Sequence, residues 1–388
     1  MRKKILFILG IVDTGGVAKS MLSLLHVIDK TTYDVSILVF SNKGFFHHQI
    51  PSGVKIITDE RATLLSNGIG GLKRLLFKGE ILLALGSFVR CLLSVVNKGK
   101  AGLLLAKLMP HMTSEEYDLI VDYGGQHLLY YMVDKLNGKK KISFFHNDYR
   151  KWRYYEHMDR KYYAHVDGIY SISHVCVEAL KEVFPEYAHK VKMMENISSP
   201  KLIHQLSEEP NSLQRKHQYV LTSLGYICTR KGSEIAMEVA RMLKEAQIDF
   251  EWWFIGKMLD DMDYLGFVKQ HHLDDNIKFL GIQSNPYPYI KEANIYVHLS
   301  KFEGKSIALD EVKILCKPVV VTNFSTVHDQ FEDGVNASIC EMNATSAYKR
   351  IMEIIEHPEI AKRYSDYLAQ HIVDNSNEVN KLYELVES

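Results

Sequence analysis

Short apolar runs rich in β-branched residues alternate with segments of helical periodicity along most of the chain. In the first half these runs include "KILFIL", "DVSILVF", "YDLIVDY" and "DGIYSIS", and in the second half they include "YVLTSLG", "FEWWFIG", "ANIYVHLS" and "KPVVVTN". Alternation of strands with helices is typical of parallel sheets that carry helices on both faces. The sequence therefore predicts an α/β fold with doubly wound sheets.

One polar segment separates the two series of strands. It reads "SSPKLIHQLSEEPNSLQRKHQ" and contains two prolines, which makes it the best candidate for a linker. A chain of 388 residues is long enough for two domains. We therefore expect domains at residues 1–200 and 201–388, facing each other across a cleft.

Composition limits which binding partners and which cellular compartment are expected for this chain. The 47 basic and 47 acidic residues give a formal net charge of zero, so nucleic acid is not an expected partner. An exposed helix along the cleft explains the aromatic and basic residues of "YRKWRYYEHMDRKYYAH" better than a base-stacking surface does. The five cysteines lie far apart and are predicted to be reduced thiols. The apolar run near the N-terminus is short and lacks a cleavage site, so we expect a cytoplasmic protein.

The segment from Arg61 to Pro110 combines high apolar content with charge of one sign. It contains eight basic residues and one acid, Glu80, so its net charge is eight minus one, or +7. None of its uncharged apolar runs approaches the ~20 residues that a spanning helix needs. Two interpretations remain, namely amphipathic helices on an anionic membrane surface or helices packed on the first domain with solvated lysines. We favour the membrane surface and expect contacts from Lys73, Arg74, Lys78 and Arg90.

A glycine-rich turn, "GIVDTGGVAKS", follows the first predicted strand and precedes the first predicted helix. It is not a P-loop, because Gly16 stands where G-x-x-x-x-G-K-[ST] requires lysine, and it does not fit G-x-G-x-x-G. What remains is a Gly15-Gly16 turn at a helix N-terminus, where backbone N–H groups can approach a phosphate closely.

The strongest candidate constellation lies late in the chain, in "HLSKFEGKSIALDEVKILCKPVVVTN". Glu303 lies in the loop after a strand, Ser306 can cap the next helix, and Glu311 follows about one and a half turns into that helix. The N–H groups at such a helix start favour an anion such as a diphosphate. Carboxylates beside it can accept hydrogen bonds from the hydroxyls of a ribose and a sugar. The alternative is that Asp310 and Glu311 are acids favoured by the helix dipole alone.

The pattern of glutamate, seven residues, glutamate and then "KPVVVTN" resembles the donor-site motif of the family 4 glycosyltransferases, retaining enzymes of the GT-B fold. Five further segments resemble the same family in the right order: "DTGGVAKSMLSLL", "FFHND", "MMENIS", "SLGYICTRKGSEIAMEVARML" and "NIKFLG". The region around the two glutamates is most similar to the branch that builds bacterial cell-surface polysaccharides. The resemblance covers most of the chain. It implies two Rossmann-like domains, with the last helix packing back on the N-terminal one.

The resemblance implies how the nucleotide of a sugar donor would be held. Gly15 and Gly16 would let the backbone approach the donor phosphate, and Lys231 would pair with the diphosphate and stabilise the leaving group. "NIKFLG" would precede the base pocket, where Ile282 is expected to contact the donor.

It also implies how the sugar and the ribose would be held. Glu303, with the backbone after Gly304, would hold the hydroxyls of the transferred sugar, and His146 would contact that sugar from the opposite domain. Glu311 would bind the ribose, and Ser306 is expected in the same donor site. The expected catalytic residues are Glu303, His146 and Lys231.

One position departs from the family pattern. The family has an arginine after the glycine of the phosphate segment, whereas here Gly225 is followed by Tyr226. Either Arg230 or Lys305 is expected to supply the second positive charge. No aspartate pair with D-x-D spacing stands at a strand end, so we expect neither a metal nor another cofactor.

The implied function is that of a retaining glycosyltransferase. It would move a sugar from a nucleotide-sugar, expected to be a UDP-sugar, to a glycan or lipid-linked acceptor in capsule, exopolysaccharide or other cell-surface polysaccharide synthesis. We expect it at the inner face of the cytoplasmic membrane. The alternatives are a nucleotide-sugar epimerase of the same fold and a non-catalytic partner subunit. The joint presence of Glu303, Glu311, Lys231 and His146 argues against the partner subunit.

Overall fold

The chain forms two compact units. A computed structural model describes residues 2–13, 15–211 and 213–388. The first unit contains residues 1–197 together with 376–388, and the second contains residues 198–375. The division falls at Ile197 rather than at residue 200, and the end of the chain belongs to the first unit.

The first unit is built on a parallel sheet of seven strands. The order of the strands is β3-β2-β1-β4-β5-β6-β7, so the sheet is wound outward in two directions from β1 and β4. The strands are β1 (Lys3–Ile11), β2 (Tyr33–Ser41), β3 (Lys55–Ile57), β4 (Glu116–Asp122), β5 (Asn137–Phe145), β6 (Gly168–Ser171) and β7 (Val191–Met193).

Helices cover both faces of this sheet. On one face α1 and the C-terminal helix α16 bury apolar residues such as Leu24 and Leu382, and Tyr383 stacks on Tyr33 at 4.8 Å between ring centroids. On the other face Leu105 and Leu129 belong to a second core. The helices are α1 (Gly16–Val27), α2 (Glu60–Ser66), α3 (Gly68–Phe77), α4 (Ile81–Val96), α5 (Lys98–Leu108), α6 (His127–Lys135), α7 (Glu156–Tyr163), α8 (His174–Val183) and α16 (Asn380–Glu387).

The second unit is built on a parallel sheet of six strands. Their order is β10-β9-β8-β11-β12-β13, which repeats the doubly wound plan with β8 and β11 at the centre. The strands are β8 (Tyr219–Leu224), β9 (Phe250–Ile255), β10 (Ile277–Gly281), β11 (Ile295–His298), β12 (Val319–Thr322) and β13 (Ser338–Cys340). The helices are α9 (Pro200–Ser207), α10 (Ser233–Glu245), α11 (Tyr264–Gln270), α12 (Tyr287–Glu292), α13 (Ile307–Ile314), α14 (Ala344–Glu356) and α15 (Pro358–Gln370).

The segment expected to be a linker begins as helix α9 instead. Ser199 Oγ accepts a hydrogen bond from the Leu202 N–H, and Pro200 occupies the first turn, which are ordinary signals for a helix start. Ile203 is buried, and Asn285 donates to the Leu206 carbonyl. The polar composition therefore reflects an exposed helix of the second unit rather than a free connection.

The basic segment between Arg61 and Pro110 folds into helices that connect β3 to β4. Lys73, Arg74 and Lys78 are exposed. Arg90 is not fully exposed, because its Nε is shielded from solvent and its Nη2 lies 3.7 Å from Cys91 Sγ. Among the residues that the structure describes, no helix has the length and apolarity to cross a bilayer.

Candidate functional site

The central strands of the second sheet place two loops side by side. β8 and β11 are hydrogen-bonded neighbours, and the chain leaves them in opposite winding directions. In doubly wound sheets ligands bind at such a switch point, outside the carboxyl ends of the strands. Gly225 follows β8 and His298 ends β11, so both belong to this edge.

A glycine allows the two loops to pack closely. Gly232 has φ +70° and is the N-cap of α10, and a Cβ atom there would lie 1.9 Å from the Leu299 carbonyl oxygen. Only glycine fits this position without moving the backbone. The N-terminus of α10 is thereby held beside the end of β11.

A cavity of about 30 Å³ lies between these loops. Its lining includes Gly225, Tyr226, Lys231, Ser233 and His298. The first N–H groups of α10 point out of the helix start, where a negative charge is favoured. The cavity therefore combines a helix N-terminus with a lysine, which suits an anionic ligand.

Three charged or polar side chains meet at this edge. Lys231, in a short 3-10 turn before α10, places Nζ 2.5 Å from Glu303 Oε1, and their side chains are only 20% and 10% exposed. His298 is buried and donates from Nε2 to the same oxygen at 2.9 Å. Glu303 Oε2 makes no hydrogen bond to a described residue, so it is the oxygen left to accept one from a ligand.

Glu303 is a carboxylate despite its burial. Burial opposes its ionisation, but the Lys231 ammonium and the hydrogen bond from His298 outweigh that effect and hold the pKa of Glu303 well below its usual range. The structure therefore brings together two predicted site residues, Glu303 and Lys231, in an ion pair that the sequence did not predict. His298 was missed by the sequence reasoning, although its place at the end of "IYVH", five residues before Glu303, was a usable signal.

The second predicted glutamate is fixed by a tyrosine. Glu311 is buried on α13, and the Tyr287 hydroxyl on α12 donates to its Oε1 at 2.7 Å. Burial and the neighbouring carboxylate raise the pKa of Tyr287 well above its ordinary value, so it remains a donor. Tyr287 was also missed by the sequence reasoning.

The start of α13 is organised differently from the expectation. Ser306 occupies the N-cap, but its side chain makes no capping hydrogen bond. Instead, Gln330 accepts from the Ser306 N–H at 3.1 Å and donates to the Ser306 carbonyl at 2.9 Å and to Asp310 at 2.8 Å. Gln330 therefore shapes the loop that follows Gly304, which is buried.

The two candidates for the second positive charge differ in their surroundings. Lys305 Nζ lies 3.7 Å from Asp310 Oδ2, and both side chains are buried, so the lysine charge is balanced inside the unit. Arg230, next to Lys231, is exposed, and its guanidinium makes no ion pair with a described residue. Arg230 is the better placed of the two. Ile282 lies partly exposed after β10, two strands from β8 at the same edge of the sheet.

The remaining predicted residues lie in the first unit. Gly15 has φ +135° and is the N-cap of α1, and Gly16 is the first residue of that helix. Ser20 Oγ donates to Asn196 Oδ1 at 2.7 Å and lies 2.5 Å from the Tyr123 hydroxyl oxygen, which fixes α1 to the end of β4. Thr14, in the same turn, lies outside the described residues.

His146 is buried after β5, where its ring lies beside the Asn196 side chain. Its Nε2 donates to the Tyr123 carbonyl at 3.0 Å, and Nδ1 makes no hydrogen bond of regular geometry to a described residue. Burial lowers the pKa of His146 to about 4, so the ring is neutral near pH 7 and Nδ1 carries a lone pair. Such a nitrogen can accept a hydrogen bond from a hydroxyl. Within the described part of the chain, no group of three or more His, Cys, Asp or Glu is arranged to hold a metal ion.

The segment that carries the main cluster is similar to known proteins. Residues 206–371 match the model of the family described as Glycosyl transferases group 1. The chain is 23% identical to an uncharacterized glycosyltransferase of Methanocaldococcus jannaschii over 169 residues. The aligned residues make up 42% of each chain. It is 23% identical over 153 residues, 39% of this chain and 41% of the relative, to the N-acetylgalactosamine-N,N'-diacetylbacillosaminyl-diphospho-undecaprenol 4-alpha-N-acetylgalactosaminyltransferase of Campylobacter jejuni. The chain thus spans about two-fifths of the length of these relatives.

The whole chain is similar to solved structures in its fold. The Anabaena protein HepE in complex with UDP and glucose superimposes with a TM-score of 0.72 at 16% identity, covering 100% of both chains. The two Rossmann-like units therefore have the GT-B fold, and the match to the glycosyl transferases group 1 family covers residues 206–371.

Proposed function

We propose that the protein is a retaining glycosyltransferase that uses a UDP-sugar. One observation carries the proposal: the ion cluster of Lys231, Glu303 and His298 lies beside the cavity at the switch point of a glycosyltransferase domain. The complex of HepE with UDP and glucose supports the choice of donor.

The diphosphate would occupy the cavity edge at the start of α10. Lys231 and the exposed Arg230 supply positive charge there, in addition to the helix N–H groups. As the bond between the sugar C1 and the phosphate oxygen breaks, negative charge grows on the departing UDP, and these groups stabilise it. They supply the charge that a metal would otherwise supply, so we propose that none is needed.

The sugar and the ribose would be held by carboxylates. Glu303 accepts from sugar hydroxyls through Oε2, since Lys231 and His298 already occupy Oε1. Glu311, oriented by Tyr287, accepts from the ribose hydroxyls. His146 accepts from a substrate hydroxyl through Nδ1. The acceptor oxygen forms the new bond to C1 as the bond to the phosphate oxygen breaks, and its proton passes to the departing UDP phosphate.

We further propose that the acceptor is lipid-linked and belongs to a bacterial cell-surface polysaccharide. The name of the Campylobacter jejuni relative contains a diphospho-undecaprenol acceptor, which supports this choice. Such an acceptor lies in a bilayer, so the protein would act at the inner face of the cytoplasmic membrane, bound to an anionic surface.

Thermal stabilisation by a panel of UDP-, GDP- and ADP-sugars tests the donor. A ligand at 100 times its Kd stabilises the folded state by about 2.7 kcal/mol. For a domain of this size that raises Tm by about 5–10 °C. We expect this for UDP-sugars alone. Equal stabilisation by all three nucleotides, or by none, contradicts the choice of UDP.

Activity of the Glu303→Gln variant tests the site. We expect UDP release with an acceptor to fall by about 10²–10³-fold while the protein remains folded. Glu356→Gln, at an exposed position of α14, is the matched control and keeps full activity. Wild-type turnover in Glu303→Gln removes this residue from the mechanism. Epimer formation without acceptor identifies an epimerase instead.

A further inference from the structure

Helix α4 presents its large apolar side chains to solvent. Eight of them, from Ile81 and Leu82 at its start to Val95 and Val96 at its end, are exposed and recur every three or four residues. Leu82, Val95 and Val96 are 83%, 87% and 86% exposed. A surface helix of a globular protein normally turns such a stripe toward the core. On α4 the orientation is reversed.

The opposite side of α4 explains the reversal. Ala84 and Ser87 are fully buried, and a Cβ atom on Gly86 would lie 2.6 Å from Leu108 Cδ2 of α5. The small residues therefore allow α4 to pack tightly on α5, and this close contact fixes the apolar stripe outward. The exposure is built into the fold.

Neighbouring elements also expose large apolar side chains. On α3, Phe77 is 94% exposed, and Ile69 and Leu76 are exposed on the same side of the helix as Lys73, at helical spacing. Beyond the end of α4, Lys98 Nζ lies 4.1 Å from the centre of the Tyr154 ring. We call these exposed apolar side chains of α3 and α4, with Tyr154 and its neighbour Trp152, the α3–α4 face.

Basic side chains lie on α3 and at the start of α5, the helix that follows α4. Lys73, Arg74, Lys98 and Lys100 are exposed and form no ion pair with a described residue. Lys78 is also exposed and pairs with Glu60 at 2.6 Å. An apolar stripe, flanking lysines and arginine, and partly exposed tryptophan and tyrosine are the chemical elements of a membrane-interface surface.

We propose that the α3–α4 face docks the protein on an anionic lipid bilayer. Its apolar side chains enter the interface, Trp152 and Tyr154 lie at the level of the headgroups, and the basic residues contact anionic headgroups. A second copy of this chain is a poorer occupant. A symmetric dimer through this face would bring two segments of like charge together, each +7 from eight basic residues and one acid.

The proposed function includes binding to an anionic membrane surface, and this inference rests on that part of it. It assigns the binding to the α3–α4 face. Flotation with vesicles of phosphatidylcholine, with and without phosphatidylglycerol, measures docking directly. We expect the wild type to bind the vesicles that contain phosphatidylglycerol, to bind neutral ones weakly, and to be released in part by 1 M salt.

Two sets of variants separate the apolar and the electrostatic contributions. Replacing Phe77, Leu82, Val95 and Val96 by serine is expected to lower binding at least about tenfold. Replacing Lys73, Arg74, Lys98 and Lys100 by glutamine is expected to lower it about 100-fold or more. All eight side chains are exposed, so both variants should fold.

Matched controls change the same kinds of residue elsewhere. Leu265→Ser with Ile372→Ser removes exposed apolar side chains of the second unit. Glutamine at Lys192, Lys269, Lys349 and Lys362 removes four other exposed charges. Both controls should bind like the wild type.

Each outcome decides the proposal. Absence of vesicle binding, equal binding to neutral and anionic vesicles, or wild-type binding by the serine variant overturns it. A dimer in sedimentation that the serine variant dissociates, without vesicle binding, assigns the face to a second copy instead. UDP binding is measured in parallel. If it persists while vesicle binding is absent, only the docking proposal fails, and if it is absent while vesicle binding persists, the donor proposal fails.

Discussion

Removing the Lys231 ammonium should destabilise the second unit by an amount that the geometry of the cluster sets. Lys231 Nζ and Glu303 Oε1 are 2.5 Å apart in a mostly buried site. Coulomb's law with an effective dielectric of ~20 gives about 7 kcal/mol for that separation, as an upper bound. Removing one partner of a buried pair typically costs about 3–5 kcal/mol. Since His298 still donates to the same oxygen at 2.9 Å, we expect Lys231→Met to lower the free energy of unfolding by about 3 kcal/mol.

The sign of the pH dependence follows from the pKa of Glu303. In the wild type, that pKa is lowered in the folded state, so the cluster contributes stability at neutral pH that is lost as the pH falls below the ordinary range of a glutamate. In Lys231→Met, the ammonium that offset the effect of burial on the Glu303 carboxylate is absent, so the ionised carboxylate destabilises the folded state at neutral pH. Protonation relieves this cost in acid. The stability difference between the two proteins should therefore shrink from pH 7 to pH 4.

Urea unfolding monitored by tryptophan fluorescence provides the assay. Trp252 and Trp253 are buried in β9 of the second unit, and Trp152 is the third tryptophan of the chain. In a Trp152→Phe background the signal reports on the second unit alone. A double-mutant cycle with Glu303→Gln isolates the pair, and we expect a coupling of about 2–3 kcal/mol. Additivity of the two substitutions within about 0.5 kcal/mol would refute the reasoning.

Three further predictions concern other residues. Arg230→Ala should weaken UDP binding about tenfold in calorimetry, because an exposed guanidinium contact is among the weaker charge-assisted hydrogen bonds. The control Arg363→Ala on α15 should bind UDP like the wild type, and equal affinities of the two variants would contradict a role of Arg230. His298→Ala should lower kcat about tenfold, because the Glu303 carboxylate loses the hydrogen bond that orients it. His298→Gln keeps a donor and should recover most of the lost kcat. Equal kcat values in the two variants would contradict a positioning role of His298. Burial raises the pKa of Asp159 from 3.8 to about 7, so the folded protein holds a proton that the unfolded chain releases. The contribution of Asp159 to the free energy of unfolding therefore falls as the pH rises from about 4 to about 7. Asp159→Asn should remove this part of the pH dependence of Tm, measured by thermal unfolding between pH 4 and pH 8.

The fold was predictable because its main signal is local. Most strands of the two sheets are short apolar runs, and a helix follows most of them, which is the pattern that a parallel sheet requires along the chain. The boundary was harder to place, because α9 is polar and contains Pro200. Proline at the first turn starts a helix, while composition alone treats it as a feature of linkers.

The candidate site was predictable in its charged members and not in its supporting ones. The spacing of Glu303 and Glu311 and the lysine at 231 are visible in the sequence. The roles of His298 and Tyr287 depend on which residues of β11 and α12 reach the two carboxylates, and no local pattern encodes that three-dimensional proximity. Lys305 illustrates the same difficulty, because it is near Glu303 in sequence but pairs with Asp310.

For helix α4, the periodicity of apolar residues predicts the helix but not whether its apolar face is buried or exposed. Apolar residues every three or four positions predict a helix with one apolar face, and the same pattern describes a face packed in a core and a face left in solvent. The opposite face decides between them: Ala84 and Ser87 are too small to fill a core alone, yet they allow the close approach of α5 at Gly86. With that side already occupied, Leu82, Val95 and Val96 remain without a partner in the described structure. The basic residues of the same segment then favour an anionic surface over a second apolar protein face.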